Sequence, residues 1–347
     1  MTDRLSQEQL QQIFQVDVRE YLDHLRNRTP RDPAQPPRFV SVGGQPGAGK
    51  GRVLEDIHNA LPGSGIVNGD ELRRFHPEYL RLMREEPLRM PEVTGPASGP
   101  WVGMANEHLR RQQASAVVET TLRDAPMLQA EFAAFKGAGY VTELRVVAVP
   151  LEVSRAATVS RYLEQVTNYG AGRWTPGAAH DLAAANVTDT VRTLVSSGLV
   201  DRVVVQDRDD HVFHDAIVSS GGITQGDAAA AAVENARNVA AMTPEQARAW
   251  VANTSAVLSE RVRLGQNDPD LAQVAKRLAT TDGAAVVGQA YPRDPVAQRE
   301  ALSSLQRAAR LSLSDRIESR TTALRDARAP KPGDVLGRGD HGRGSSR

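Results

Sequence analysis

The chain has 347 residues, with 42 basic and 42 acidic side chains, a net charge of zero, 40% hydrophobic residues and only 4% aromatics. This is globular composition, long enough for two structural units or one α/β domain with an appendage, and the balanced charge argues against a dedicated nucleic-acid binder or a polybasic membrane-surface protein. Cysteine is absent, which excludes disulfides, thiol chemistry and cysteine-type zinc sites, and only four of the basic residues are lysines: Lys50, Lys136, Lys276 and Lys331.

In chain order, residues 1–12 are polar and lack the apolar core of an export signal. No apolar run approaches the roughly 20 residues of a membrane helix, so the expected location is the cytoplasm, away from any membrane. Residues 6–26 predict an amphipathic helix: Ser6 and Gln9 form a capping-box pattern, and Leu10, Phe14, Tyr21, Leu22 and Leu25 recur at helical spacing. The proline-rich stretch 29–37 ends that helix as a linker.

From Arg38 the rhythm changes. Short apolar runs at 38–43, 65–70, 115–120, 142–150 and 200–207 predict buried strands, with helical patterns between them at 53–61, about 100–113, 127–139 and 152–166. Strands alternating with helices predict a doubly wound, mainly parallel α/β sheet, and 209–215 adds a short hairpin strand. Beyond residue 223 the strand signal vanishes. Alanine-rich helical segments follow, one opening at Thr243-Pro244-Glu245-Gln246 and others at 268–279 and 294–325. The expected organisation is an N-terminal helix and linker (1–37), an α/β core (38–222), an all-helical extension (223–328) and a disordered Gly/Pro/Arg-rich tail (329–347).

The most specific motif is Gly44-Gln45-Pro46-Gly47-Ala48-Gly49-Lys50, which fits G-x-x-x-x-G-K between a predicted strand and a predicted helix. Glycines let backbone N–H groups curl around phosphate oxygens, the helix N-terminus faces the anion, and the lysine reaches the terminal phosphates. Gly51 stands where the pattern has Ser or Thr, whose hydroxyl ligates the Mg²⁺ carried by ATP. Either another oxygen holds the metal, with Asp70, Glu119 and Thr120, each ending a predicted strand near the loop, as the candidates, or water fills the position.

Ligands of doubly wound sheets gather at the carboxyl ends of strands, where Asp70 and Glu119 fall. An acid there serves as a metal ligand or as a general base for an acceptor hydroxyl. His76, followed by Pro77, either contacts substrate or stabilises a turn, and Thr120-Thr121-Leu122-Arg123 is a polar set suited to hydroxyls or phosphates. Arg161 and Arg173 flank a segment beyond the fourth strand, though spacing alone does not single them out among 38 arginines.

Together these pieces resemble the zeta toxin family, the P-loop kinase toxins of bacterial toxin–antitoxin systems. The segments that carry the resemblance are GGQPGAGKG (43–51), NGDELRRFHP (68–77), VVETTLR (117–123), GAGYVTELRVVAVP (137–150), RYLEQ (161–165) and RWTPGAAH (173–180). The resemblance implies that Lys50 contacts the ATP phosphates and that Asp70 takes the proton from the acceptor hydroxyl. Arg161 and Arg173 would sit on the transferring phosphate, with Glu107, Glu119, Thr121 and Arg123 at the acceptor site. It further implies UDP-N-acetylglucosamine as the acceptor and an antitoxin protein as the partner. Two alternatives stay open. One is a P-loop kinase for another acceptor, such as NAD or an antibiotic; the other is a nucleotide-binding protein without kinase activity, which Gly51 favours. The extension is read either as a helical lid or packing module, or as a module for contacts with a partner.

Overall fold

The computed structural model describes residues 4–218 and 222–310. Its centre is a six-stranded sheet of β1 (Arg38–Gly43), β2 (Gly65–Val67), β3 (Ala116–Thr120), β4 (Val141–Val147), β5 (Arg202–Gln206) and β6 (Val212–Ile217), in the order β2-β3-β1-β4-β5-β6. The first five run parallel and β6 pairs antiparallel with β5. Helices cover both faces, which is why β1 is buried at every position after its first and reads as a continuous apolar run. From β1 the chain moves to one side for β2 and β3, then crosses to the other for β4 and β5. The loop after β1 therefore lies at the switch point of the sheet.

The N-terminal rod runs through α1 (Gln7–Ile13), a π-helical turn (Phe14–Val18) and α2 (Arg19–Leu25), opened by the Ser6/Gln9 capping box. Its buried residues are Leu10, Phe14, Val18 and Leu22, each four apart. Steps of four drift around an ordinary helix, and the wider turn, with Arg19 N–H donating to the Phe14 carbonyl, brings them back into one line. That line packs on the next layer, where Trp101 is fully buried and its Nε1 donates to the Leu10 carbonyl at 3.0 Å.

Helices α3 (Lys50–Ala60), α4 (Gly69–Leu72) and α5 (Tyr79–Glu85) precede α6 (Met90–Arg111). The last begins some ten residues before the sequence pattern predicts, carrying Pro96 and Pro100 within it. Both prolines face outward, where water satisfies the carbonyls they leave free. After α7 (Ala125–Gly137), the crossover from β4 to β5 holds α8 (Leu151–Tyr169) and α9 (Gly177–Ser196). The sequence reading has no helix at α9. Its inward face is built of His180, Ala183, Ala184, Val187 and Val191, small or polar enough to dilute the apolar periodicity.

The helices beyond the sheet are α10 (Gly222–Ala236), α11 (Pro244–Arg263), α12 (Pro269–Ala279), α13 (Thr281–Ala290) and α14 (Pro295–Ala308). Ala229, Val233 and Ala236 of α10 share the core of the sheet with Val187 and Leu194 of α9. A second core starts only at Met242, where α11–α14 bury Trp250, Leu258, Leu271 and Leu305 together with Val159, Tyr162 and Leu163 of α8. The rest of the helix expected at 294–325, and the tail at 329–347, lie outside the described residues.

A buried ionic network joins the two cores. Arg155 of α8 donates through Nη1 to Asp282 of α13 at 2.9 Å and through Nη2 to Asp181 of α9 at 3.0 Å. Arg277 of α12 reaches both carboxylates, and His180 links Asp181 to the Ser154 hydroxyl. The side chains of Arg155 and Asp282 are 3% and 2% exposed. Asp282→Ala, which leaves that guanidinium short of a partner, is expected to lower the unfolding free energy by about 3 kcal/mol, measured by urea denaturation.

Candidate functional site: a phosphate loop and a carboxylate among arginines

The loop leaving β1 turns back on itself to begin α3. Gly47 has φ +77°, and a Cβ there would lie 2.1 Å from the Ser154 carbonyl oxygen of α8, so only glycine fits both the backbone and the space. Gly49, with φ +99°, caps α3 and leaves its first N–H groups facing the loop. Gln45 is fully buried, and its Nε2 donates to the Val149 carbonyl at 2.8 Å, fixing the loop to the end of β4.

Lys50, the first residue of α3, is 6% exposed. Its Nζ donates to the Gly44 and Gln45 carbonyls at 3.0 and 3.1 Å and lies 3.5 Å from Glu119 Oε1. Burial lowers the lysine pKa, while Glu119 and then Asp70 oppose that shift and favour the charged form. Glu119 is placed by register, since it pairs with Val42 across β3 and β1, two residues before the loop.

The predicted strand at 65–70 ends at Val67, and Asp70 sits in the first turn of α4, where its N–H donates to the Asn68 side chain at 2.9 Å. Its Oδ1 accepts from Arg73 Nε at 3.2 Å and pairs with Arg173 Nη1. Arg73 is held in turn by the Pro91 carbonyl and the Thr94 hydroxyl of α6, at 2.8 and 3.0 Å. Burial raises the Asp70 pKa, but Arg173, then Arg73 and Arg161, outweigh it and hold the carboxyl well below the usual carboxylate range.

Arg161 donates through Nη2 to Thr175 Oγ1 at 3.0 Å and stands in the field of Asp70, Glu119 and Arg173. Burial lowers its pKa, and the charge of Arg173 adds to that. Its Nε is buried without a partner in the protein, a donor left open to an anion. Arg123 follows β3 and adds its charge beside Arg73. Thr121 lies half-buried next to Leu122, whose own φ of +53° turns the side chain over Gly43. His76 is buried in the turn after α4, with Nδ1 accepting from the Glu78 N–H, which fits the turn-stabilising role.

The structure thus brings Lys50, Asp70, Glu119, Arg161 and Arg173 together, with Arg123 at the margin. It does not bring Glu107 there. That side chain is half-exposed on α6, pairs with Arg111 one turn on, and makes no ion pair with the cluster among the described residues. The buried residue on this stretch of α6 is its neighbour Asn106. Sequence reasoning missed two arginines. Arg73 was visible as the residue three after Asp70, the helical spacing for an ion pair. Arg208, in the turn after β5, had no local signal. Its Nη2 donates to the Gly47 carbonyl at 2.7 Å and its Cβ packs against Gly49.

A strand, a glycine loop folded around a buried lysine and a helix N-terminus, set at the switch point of a doubly wound sheet, define a P-loop kinase-like fold. The chain belongs to the Zeta toxin family, whose sequence model matches residues 22–218. It is 30% identical over 183 residues to Toxin PezT of Streptococcus pneumoniae serotype 4, covering 52% of this chain and 72% of that one. It is 29% identical over 177 residues to Toxin zeta of Enterococcus hirae, covering 50% of this chain but only 61% of that protein's length. A solved structure from the PezAT chromosomal toxin–antitoxin system of Streptococcus pneumoniae superimposes with a TM-score of 0.59 at 20% identity, over 76% of this chain and all of that one.

Arg173→Gln removes the guanidinium that most lowers the Asp70 pKa. A carboxyl-carbon NMR titration is expected to show Asp70 ionised in the wild type below the pH at which the exposed aspartates protonate. In Arg173→Gln its midpoint moves up towards theirs.

Proposed function

We propose that this chain is the toxin of a toxin–antitoxin pair and acts as an ATP-dependent kinase on a hydroxyl of a sugar nucleotide. UDP-N-acetylglucosamine is the acceptor that the family resemblance implies, and a cognate antitoxin protein is the expected partner. The observation that carries the reading is the Asp70 carboxylate, held by Arg173 and Arg73 in the field of Lys50 at the mouth of the phosphate loop.

In this reading Lys50 and the N-terminus of α3 hold the β- and γ-phosphates. Arg161 and Arg173 lie on the transferring group, whose equatorial oxygens carry the charge. Asp70 orients the acceptor hydroxyl and takes its proton. The acceptor oxygen bonds to the γ-phosphorus, the bridging P–O bond breaks, and ADP leaves with that electron pair. The anionic γ-phosphate competes with Asp70 for Arg173. Its arrival loosens the interaction that most depresses the carboxyl pKa, so Asp70 becomes a stronger base when a donor is present.

The acidic and hydroxyl oxygens near the loop are hard donors of the kind Mg²⁺ takes, with Glu119 the nearest to Lys50. Glu119 would hold the ion together with phosphate oxygens and water, because Gly51 offers no hydroxyl. When bound, Mg²⁺ neutralises the charge on the phosphates.

Asp70→Asn is expected to keep nucleotide affinity and lose about 10²–10⁴-fold in transfer, whereas Lys50→Ala loses both; labelled-ATP transfer to a panel of acceptors, UDP-N-acetylglucosamine, NAD and antibiotics included, measures this. Near wild-type transfer by Asp70→Asn would remove Asp70 as the base. A second reading, nucleotide binding without transfer, is favoured by Gly51 alone. A Cβ at Gly51 meets no atom within 4 Å, so Gly51→Ser fits the fold. Transfer absent in the wild type and present in Gly51→Ser would establish the second reading. Growth arrest on expression, relieved by the product of an adjacent reading frame, is the expected outcome in cells.

A further inference from the structure

A cavity of about 530 Å³ opens beside the phosphate loop. One wall is α8, through Val153 and Ala157, and the floor is the turn after β5, through Asp207 and Arg208. The facing wall comes from α11, through Ala249, Trp250 and Asn253. Two residues link the cavity to the phosphate site. Arg208 lines it while donating to Gly47 of the loop, and Arg161 lines it while standing in the field of Asp70.

Its dimensions and lining suit a small heteroaromatic molecule: apolar faces from two helices, with a few polar groups to fix orientation. Val153 and Ala157 offer one apolar face, and Ala249 with Trp250 the other. The amide of Asn253 on the wall and the carboxylate of Asp207 on the floor offer donor and acceptor to the polar edge of a base. Trp250 is 7% exposed and its Nε1 donates to the Glu152 carbonyl at 3.2 Å, so α11 is fastened to α8 at this wall. The match to the family ends at residue 218, and α11 lies beyond it.

We propose that the C-terminal helices complete the donor-nucleotide site, with α11 as the far wall of a pocket that takes the base and ribose of the nucleoside triphosphate whose phosphates the loop holds. The inference rests on the nucleotide-binding reading above and adds to it a role for the extension. A base seated there touches both cores at once. Nucleotide binding and the docking of α11 on α8 are therefore linked, and ligand stabilises the contact between extension and kinase core.

The test compares ATP with inorganic tripolyphosphate, which carries phosphates and no base, by calorimetry on the full chain. The wild type is expected to bind ATP at least about tenfold more tightly than tripolyphosphate. Ala249→Trp, which fills the pocket from the α11 wall, is expected to remove that preference and leave tripolyphosphate affinity unchanged, which also shows that the fold and the loop are intact. Ala157→Trp, filling it from the α8 wall, is expected to do the same. An ATP preference that survives Ala249→Trp and is lost in Ala157→Trp overturns the role of α11 while leaving the nucleotide reading in place. A preference that survives both overturns the pocket. A wild type that binds neither ligand overturns this inference together with the reading it rests on.

Discussion

A lysine ammonium buried at the end of the central strand is the constraint on which the site is built. Lys50 is out of water, and a buried cation persists only where fixed oxygens replace its hydration. Two come from the Gly44 and Gln45 carbonyls, which the tight turn of the loop aims at Nζ. The third is Glu119, and it is available only because β3 lies beside β1 in the register that sets Glu119 opposite Val42. The sheet order is thus part of the electrostatics of the loop. Gln45, bonded to the end of β4, fastens the same turn from the other side. A compact ammonium suits the place between two carbonyls, where a planar guanidinium would not fit.

Helix α8 connects this site to everything C-terminal. Its Ser154 carbonyl lies against Gly47, its Arg161 adds its charge to the field at Lys50, and its Tyr162 and Leu163 belong to the second core. Arg155, on the same helix, holds α9 and α13 through carboxylates. A helix that carries Arg161 towards the loop cluster on one face and an apolar core on another is stiffened by whatever packs there. The extension thus packs against the helix that carries Arg161.

Much of this was legible in the residues. The strand runs were readable because burial on both faces makes them uninterrupted apolar segments, and G-x-x-x-x-G-K is specific once strand and helix flank it. Helix α9 was not, because alanines and polar residues facing inward weaken the period of 3.6 that a helix shows. The N-terminal part of α6 was hidden by prolines that are tolerated only because they face water. Glu107 shows what helical phase decides: it lies half-exposed and paired with Arg111, while Asn106 beside it is buried. Arg208 could not be read at all, because its distance from the loop is a property of the folded sheet; in sequence they are 161 residues apart.

Net neutrality hides how the charges are divided. Many of the acids pair with arginines three or four residues away on exposed helix faces, as in Arg81 with Glu78 and Arg263 with Glu260. Such pairs are screened by solvent and contribute little to stability. Around the loop the balance is different: Lys50, Arg73, Arg161 and Arg173 share two carboxylates, Asp70 and Glu119, while Arg208 lies in the field of Asp207 and Asp209. The excess is cationic and partly buried, so its field is concentrated in a cleft where water does not screen it. A polyanion entering there completes the charge balance that the protein leaves open. The same excess explains why Asp70 is held so firmly as a carboxylate. Arginine is common in this chain; what separates Arg73, Arg161 and Arg173 from the rest is that they share the carboxylates that Lys50 faces and are largely shielded from water.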